Sequence, residues 1–179
     1  MAGNVTSTIR RFLVRPEDVV RTRDDHGMTD HATMLIDAPV QQLWGLVTDI
    51  TGMGRWSPEN RSGRWLGGAA GPQVGALFVG VNRIGPVVWT TRCEVTVATP
   101  LEHFEFRVHM VGPRWGYRLE PHRGGTLVTE YREWPYTSAF NRAMRCSGPV
   151  GRLRDNHALH GLPETLRALK AHAESRPAA

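Results

Sequence analysis

A chain of 179 residues with 40% hydrophobic and 22% charged side chains has the make-up of one globular domain with room for an arm or tail. No apolar run approaches the roughly 18 residues a membrane span needs, and the amino terminus lacks a signal-peptide core, so a cytoplasmic protein without an integral membrane segment is expected. The net charge of +5 rests on arginines interleaved with acids, Lys170 being the single lysine, and no basic stripe or nucleic-acid motif accompanies them, so no nucleic-acid partner is expected.

Residues 1–27 are polar and charge-balanced, Arg10, Arg11, Arg15, Arg21 and Arg23 standing against Glu17, Asp18, Asp24 and Asp25. They read as an arm or loosely docked extension, followed by one domain over 28–179, with Met28 an alternative start. The apolar set Ile9, Phe12, Leu13, Val19 and Val20 can dock as a short strand or a helix. From His31, Ala32, Met34 and Ile36 alternate with Thr33, Leu35 and Asp37 in a first strand. Asp37-Ala38-Pro39 then reads as a helix start with a capping acid. Val40, Leu43, Trp44 and Val47 give that helix one apolar face, and a second short turn or helix spans Met53 to Pro58.

From Arg61 to Trp134 the signals are strand and turn. Gly63 to Leu66 is one strand. The hairpin Gly75 to Val97 places Phe78, Gly80 and Asn82 on one face of its first strand. Trp89, Thr91, Cys93, Val95 and Val97 share a face of its second. Phe104, Phe106, Val108 and Met110 alternate in the next, then Trp115, Tyr117 and Leu119, and a last strand runs from Thr126 to Trp134. Short connections make this an antiparallel meander of about seven strands. After a breaker-rich link over 135–150, a long helix from about Gly151 to Glu174 carries Leu159, Leu162, Leu166, Leu169 and Ala173 at spacings of three and four. Pro163 inside it predicts a kink. Extended backwards, the stripe turns Asn156 inward.

The expected class is therefore α+β: one sheet with an apolar face and one long helix to cover it. A helix about 10 Å wide cannot fill a curved seven-stranded sheet, so a cavity between them follows.

The order of these motifs resembles the helix-grip superfamily of START-like and Bet v 1-like proteins. It is most similar to the bacterial polyketide cyclase/dehydrase and lipid-transport family. The resemblance rests on Ile36-Asp37-Ala38-Pro39 with Leu43-Trp44, on Arg55-Trp56-Ser57-Pro58-Glu59, on Phe78 to Arg83 with Trp89 to Val95, on Leu119-Glu120-Pro121 with Gly124 to Glu130, and on Thr165 to Lys170. It covers residues 31–174. The fold it implies is a curved antiparallel sheet gripping a carboxy-terminal helix around a hydrophobic cavity. The ligands it implies are lipid-like or polyketide-like, with cyclisation or dehydration in some members. No cofactor is expected from the sequence.

Glu130 is the sharpest candidate for chemistry. If Val128 points inward so does Glu130, and a carboxyl in an apolar cavity has a raised pKa and can act as general acid or base. If Leu127 and Tyr131 are the inward set, Glu130 is solvated or ion-paired. Asn82 offers a donor and an acceptor to a ligand, or bonds its own turn. Phe78, Trp89, Thr91, Phe104, Phe106, Trp115, Tyr117 and Asn156 line the same expected wall, with core packing as the alternative for the aromatics. Cys93 belongs to that wall as a small filler rather than a nucleophile, and it and Cys146 are expected reduced. His157 and His160 lack a third ligand, so no metal is expected. The readings are a binder of a hydrophobic small molecule, an aromatase/cyclase-type enzyme with Glu130 as base, and a partner-binding module using the arm. A homodimer is allowed by the sequence.

Overall fold

The computed structural model of the protein describes residues 19–23, 27–109, 112–135 and 148–175, with the backbone alone at 135, 148–156 and 158. Most of the arm over 1–27, Met110, and the link with Cys146 lie outside these residues.

Eight strands form one curved antiparallel sheet: β1 Val20–Arg23, β2 Gly27–Ile36, β3 Asn60–Trp65, β4 Leu77–Ile84, β5 Val87–Thr99, β6 His103–Val108, β7 Arg114–His122 and β8 Gly125–Pro135. Their order across the sheet is β1-β2-β8-β7-β6-β5-β4-β3. From β3 to β8 each strand pairs with the next, as short turns dictate. The sheet has one strand more than the sequence alone predicts. The addition is β1, which lies in the segment read as an arm and pairs with β2, Arg21 opposite Asp30.

Helix α1, Val40–Thr48, buries Leu43 and Val47 completely. Asp37 does not cap it. Pro39 takes the cap position with extended backbone, and the Asp37 N–H donates instead to Glu174 Oε1 at 3.0 Å. A 3-10 turn, Met53–Arg55, supplies the second short helix. Helix α2, Gly148–Glu174, runs unbroken through Pro163. Its predicted stripe is its buried face: Leu162, Leu166, Leu169 and Ala173 are each about fully buried in one cluster with β2, α1 and the sheet centre. Its last turns are tied across the chain. Lys170 Nζ donates to the Leu35 carbonyl at 3.0 Å and Gln42 Nε2 to the Ala173 carbonyl at 2.9 Å.

The opposite, outer face of the sheet carries its own buried polar knot. The Tyr131 hydroxyl donates to Glu105 Oε2 at 2.8 Å and meets His103 Nε2 at 2.6 Å, and Thr96 Oγ1 donates to Glu105 Oε1 at 2.7 Å. The Tyr131 ring lies across Gly116, its cross-strand partner. A Cβ on Gly116 would sit 2.4 Å from the Tyr131 hydroxyl and 2.8 Å from the Phe104 carbonyl oxygen. The tyrosine and the backbone cannot both give way cheaply. Gly116→Ala should therefore lower stability by about 2 kcal/mol, read as a urea midpoint shift; an unchanged midpoint would refute this account of the knot.

Candidate functional site

The strand registers decide which side chains meet. Ile36, Met34 and Ala32 on β2 lie opposite Thr126, Val128 and Glu130 on β8. Met34, Ile36 and Val128 belong to the cluster that contains α2, so Glu130 points inward. The alternative for this strand, with Leu127 and Tyr131 inward, is excluded: Tyr131 sits in the outer knot. From Glu130 the inner face continues strand by strand. Tyr117 faces Glu130, Phe104 faces Tyr117, and Trp115 faces Phe106. Val95 faces Phe106 and Cys93 faces Phe78. Thr91 faces Gly80 and Trp89 faces Asn82. The ten residues singled out on strands thus share one face. Asn156 is on α2, and its side chain lies outside the described residues.

The aromatics among them form a string of ring contacts. Phe78 meets Phe106 at 5.1 Å between centroids, Phe106 meets Phe104 at 5.9 Å, and Trp65 and Trp44 extend the ends. Edge contacts of this kind fix ring orientation as well as burying area.

Glu130 is a carboxyl set among these aromatics, and it is only 5% exposed. Tyr117 donates its hydroxyl to Oε1 at 2.9 Å, while Oε2 is buried with no hydrogen-bond partner among the described residues. Burial pushes the Glu130 carboxyl up to about 8, against the lowering effect of the Tyr117 bond. Burial and the neighbouring carboxyl together push the Tyr117 phenol up as well. At neutral pH the pair is therefore a neutral acid beside a neutral phenol, with one carboxyl oxygen unengaged.

Two residues along β8 the chemistry reverses. Arg132 and Asp30 are both buried, and Arg132 Nη2 lies 2.6 Å from Asp30 Oδ2. Arg21 from β1 adds Nη2 to the same oxygen at 3.1 Å. Burial pushes the Asp30 carboxyl up, but the bonds and charges of the two arginines outweigh it and hold it below its ordinary value. Trp115 and Trp134 bracket the Arg132 guanidinium at 5.7 and 5.6 Å. Sequence reasoning missed this cluster. Its signal was available: the alternation of Met34 and Ala32 continues back through Asp30 to Met28.

At the far side, Asn82 does not bond its own turn. Its Nδ2 donates to Thr91 Oγ1 at 3.1 Å, and its Oδ1 accepts from Asn60 Nδ2 at 3.4 Å. Asn60, the first residue of β3, was also missed, because Arg61, Ser62 and Arg64 mask that strand's start. Burial pushes the Cys93 thiol up to about 12, so it is no nucleophile. Among the described residues no three His, Cys, Asp or Glu side chains are placed to hold a metal ion, and no helix is long and apolar enough to cross a membrane.

Known proteins agree with this architecture. The Polyketide_cyc-like protein of Corynebacterium glutamicum, solved by NMR, is 33% identical with a TM-score of 0.59, over 84% of this chain and 94% of that one. Two more distant structures share the fold. The di-domain ARO/CYC protein StfQ of the steffimycin biosynthetic pathway is 14% identical with a TM-score of 0.65, over 85% of this chain and 52% of that one. The major latex-like protein 151 of Panax ginseng is 14% identical with a TM-score of 0.60, over 81% and 96%. No curated protein matches the chain. The family described as polyketide cyclase / dehydrase and lipid transport matches residues 31–174, and the chain belongs to that family.

Proposed function

We propose that the protein binds an apolar small molecule between the inner face of its sheet and α2, and that Glu130 meets an oxygen of that molecule. The observation that carries this reading is Glu130 itself. A carboxyl group buried among aromatic and aliphatic side chains, with one oxygen unpartnered, costs stability unless something uses it. Family membership supports a hydrophobic ligand or its cyclisation as the use. The apolar surface supplies affinity at about 25 cal/mol per Å² buried, and the few polar groups supply orientation.

A second reading rests on the value near 8. An acid whose pKa lies close to the working pH can both give and take a proton in one cycle. In a cyclase or dehydratase acting on a carbonyl-bearing chain, ionised Glu130 would remove an acidic C–H proton. The Tyr117 hydroxyl would then hydrogen-bond the developing enolate oxygen. Native mass spectrometry of gently purified protein tests the first reading: a co-purified apolar molecule is expected, and loss of it on delipidation should be reversible. Failure to retain any such molecule, or to take one up, would overturn it. Glu130→Gln separates the two. The variant should still bind, whereas a cyclase should lose about a hundredfold or more in turnover.

A further inference from the structure

Asn60 opens β3 directly opposite Asn82. Its amide lies over Gly80, where a Cβ would stand 3.0 Å from Asn60 Nδ2 and 3.4 Å from Thr91 Oγ1. The glycine leaves the space that the amide fills. The bonds run in one line, from Asn60 Nδ2 to Asn82 Oδ1 and from Asn82 Nδ2 to Thr91 Oγ1. The line has a loose end: Asn60 Oδ1 is buried and has no hydrogen-bond partner among the described residues. Rotating both amides preserves the chain, with the Thr91 hydroxyl donating, and leaves Asn60 Nδ2 as the loose end instead. A hydroxyl satisfies either arrangement, since it donates and accepts.

Glu130 Oε2 is the matching loose end at the other side of the same face. Five strand steps separate the two residues, from β3 to β8. At about 4.8 Å a step this is roughly 24 Å measured along the sheet, and less across its hollow. Between them lie Phe78, Phe106, Trp115 and Tyr117. The arrangement is polar at two ends and aromatic in the middle. Among the described residues, neither end offers a counter-charge to a ligand. Asn82 and Thr91 are neutral, and Arg132, two residues along from Glu130, is ion-paired with Asp30. An ionised ligand group would be stranded at either end.

We infer that Asn60 is a ligand-orienting residue, and that the ligand is an elongated uncharged molecule with a hydroxyl at its Asn60 end and a carbonyl or ether oxygen at its Glu130 end. The inference rests on the binding reading above and names the class of molecule it takes. The carboxyl proton on Oε2 donates to the carbonyl, and the hydroxyl closes the amide line.

The test uses the full-length protein and three fused-ring steroid probes of one skeleton: a ring-A hydroxyl alone, a ring-D ketone alone, and both. Dissociation constants come from calorimetry. The hydroxy-ketone should bind roughly tenfold tighter than either single-group probe. Asn60→Ala should erase the gain from the hydroxyl and keep the gain from the ketone. Asn60→Asp, which leaves an acceptor in place, should retain the hydroxyl gain. Glu130→Leu combined with Tyr117→Phe removes both members of the buried pair together and should erase the ketone gain alone. Equal binding of all three probes, or an equal loss for all three on Asn60→Ala, would overturn the inference and leave the binding reading standing. No binding by any probe would overturn both.

Discussion

Glu130→Gln should raise the melting temperature of this protein at about pH 9 and leave it near that of the wild type at about pH 4.5. The reason is proton linkage. The Glu130 carboxyl has an ordinary value of 4.5 and a folded value of about 8. Below 4.5 it is protonated in both the folded and unfolded chain, so pH has no leverage through it. Between 4.5 and about 8 the unfolded chain has released the proton and the folded chain keeps it. The folded state then binds more protons, and stability falls as pH rises, by about 1.4 kcal/mol per pH unit. Above the folded value the loss is complete and levels off. Glutamine keeps the shape and the acceptor for Tyr117 but has no proton to lose. The wild type should therefore fall away from the variant across that window, by several kcal/mol in all, or on the order of 10 °C in melting temperature at alkaline pH. Parallel melting curves from pH 5 to 9 would show that Glu130 is ionised in the folded protein.

Asp30→Ala should be the most damaging single change on the inner face, at about 3–5 kcal/mol. It takes from Arg132, which is 2% exposed, the buried carboxylate with which it is paired. Removing both charges is a different experiment. Asp30→Leu with Arg132→Met takes away the ion pair and leaves apolar side chains of similar size, and it should recover most of the loss. A urea-denaturation cycle on the two single variants and the double measures the coupling. Additive losses would mean that the pair does not act as a unit. Asp30 also sets the acid limit. Its folded value lies below its ordinary 3.8, so its contribution is present above that value and is lost as pH falls through the lower folded one. Glu130 weakens the fold from the alkaline side and Asp30 from the acid side, so the wild type should be most stable near pH 4–5.

The two residues also show what the sequence could and could not disclose. Alternation around Phe78 and Asn82 marks strands because a half-buried sheet demands a period of two. The spacing of Leu162, Leu166 and Leu169 marks a helix for the corresponding reason. Direction is another matter. Val128 and Leu127 are equally apolar, so β8 alone does not say whether Glu130 or Tyr131 faces the helix. The register against Ile36 and Met34 on β2 says it, and that register joins residues about a hundred positions apart. Asp30, Arg132 and Arg21 were hidden for the same reason. Each looks like a surface charge in its own segment, and they become a buried cluster only when three strands meet. Asn60 was hidden by its neighbours: a strand of Arg61, Ser62, Gly63 and Arg64 has no apolar face to read.

Strand β1 has a bearing on how the chain assembles. Strand β2 needs β8 on one side, and the contacts between them span 96 residues at Thr33–Thr129 and 102 at Asp30–Arg132. Such distant pairing is slow to nucleate. During synthesis β2 leaves the ribosome with that side open, a template for pairing with another copy. Arg21 and Asp30 are only 9 residues apart, so β1 can close the other side of β2 at once. The nascent strand then has one vulnerable edge instead of two. Four residues read from the sequence as part of an arm thus replace the open side of β2 with a short edge strand that carries two arginines.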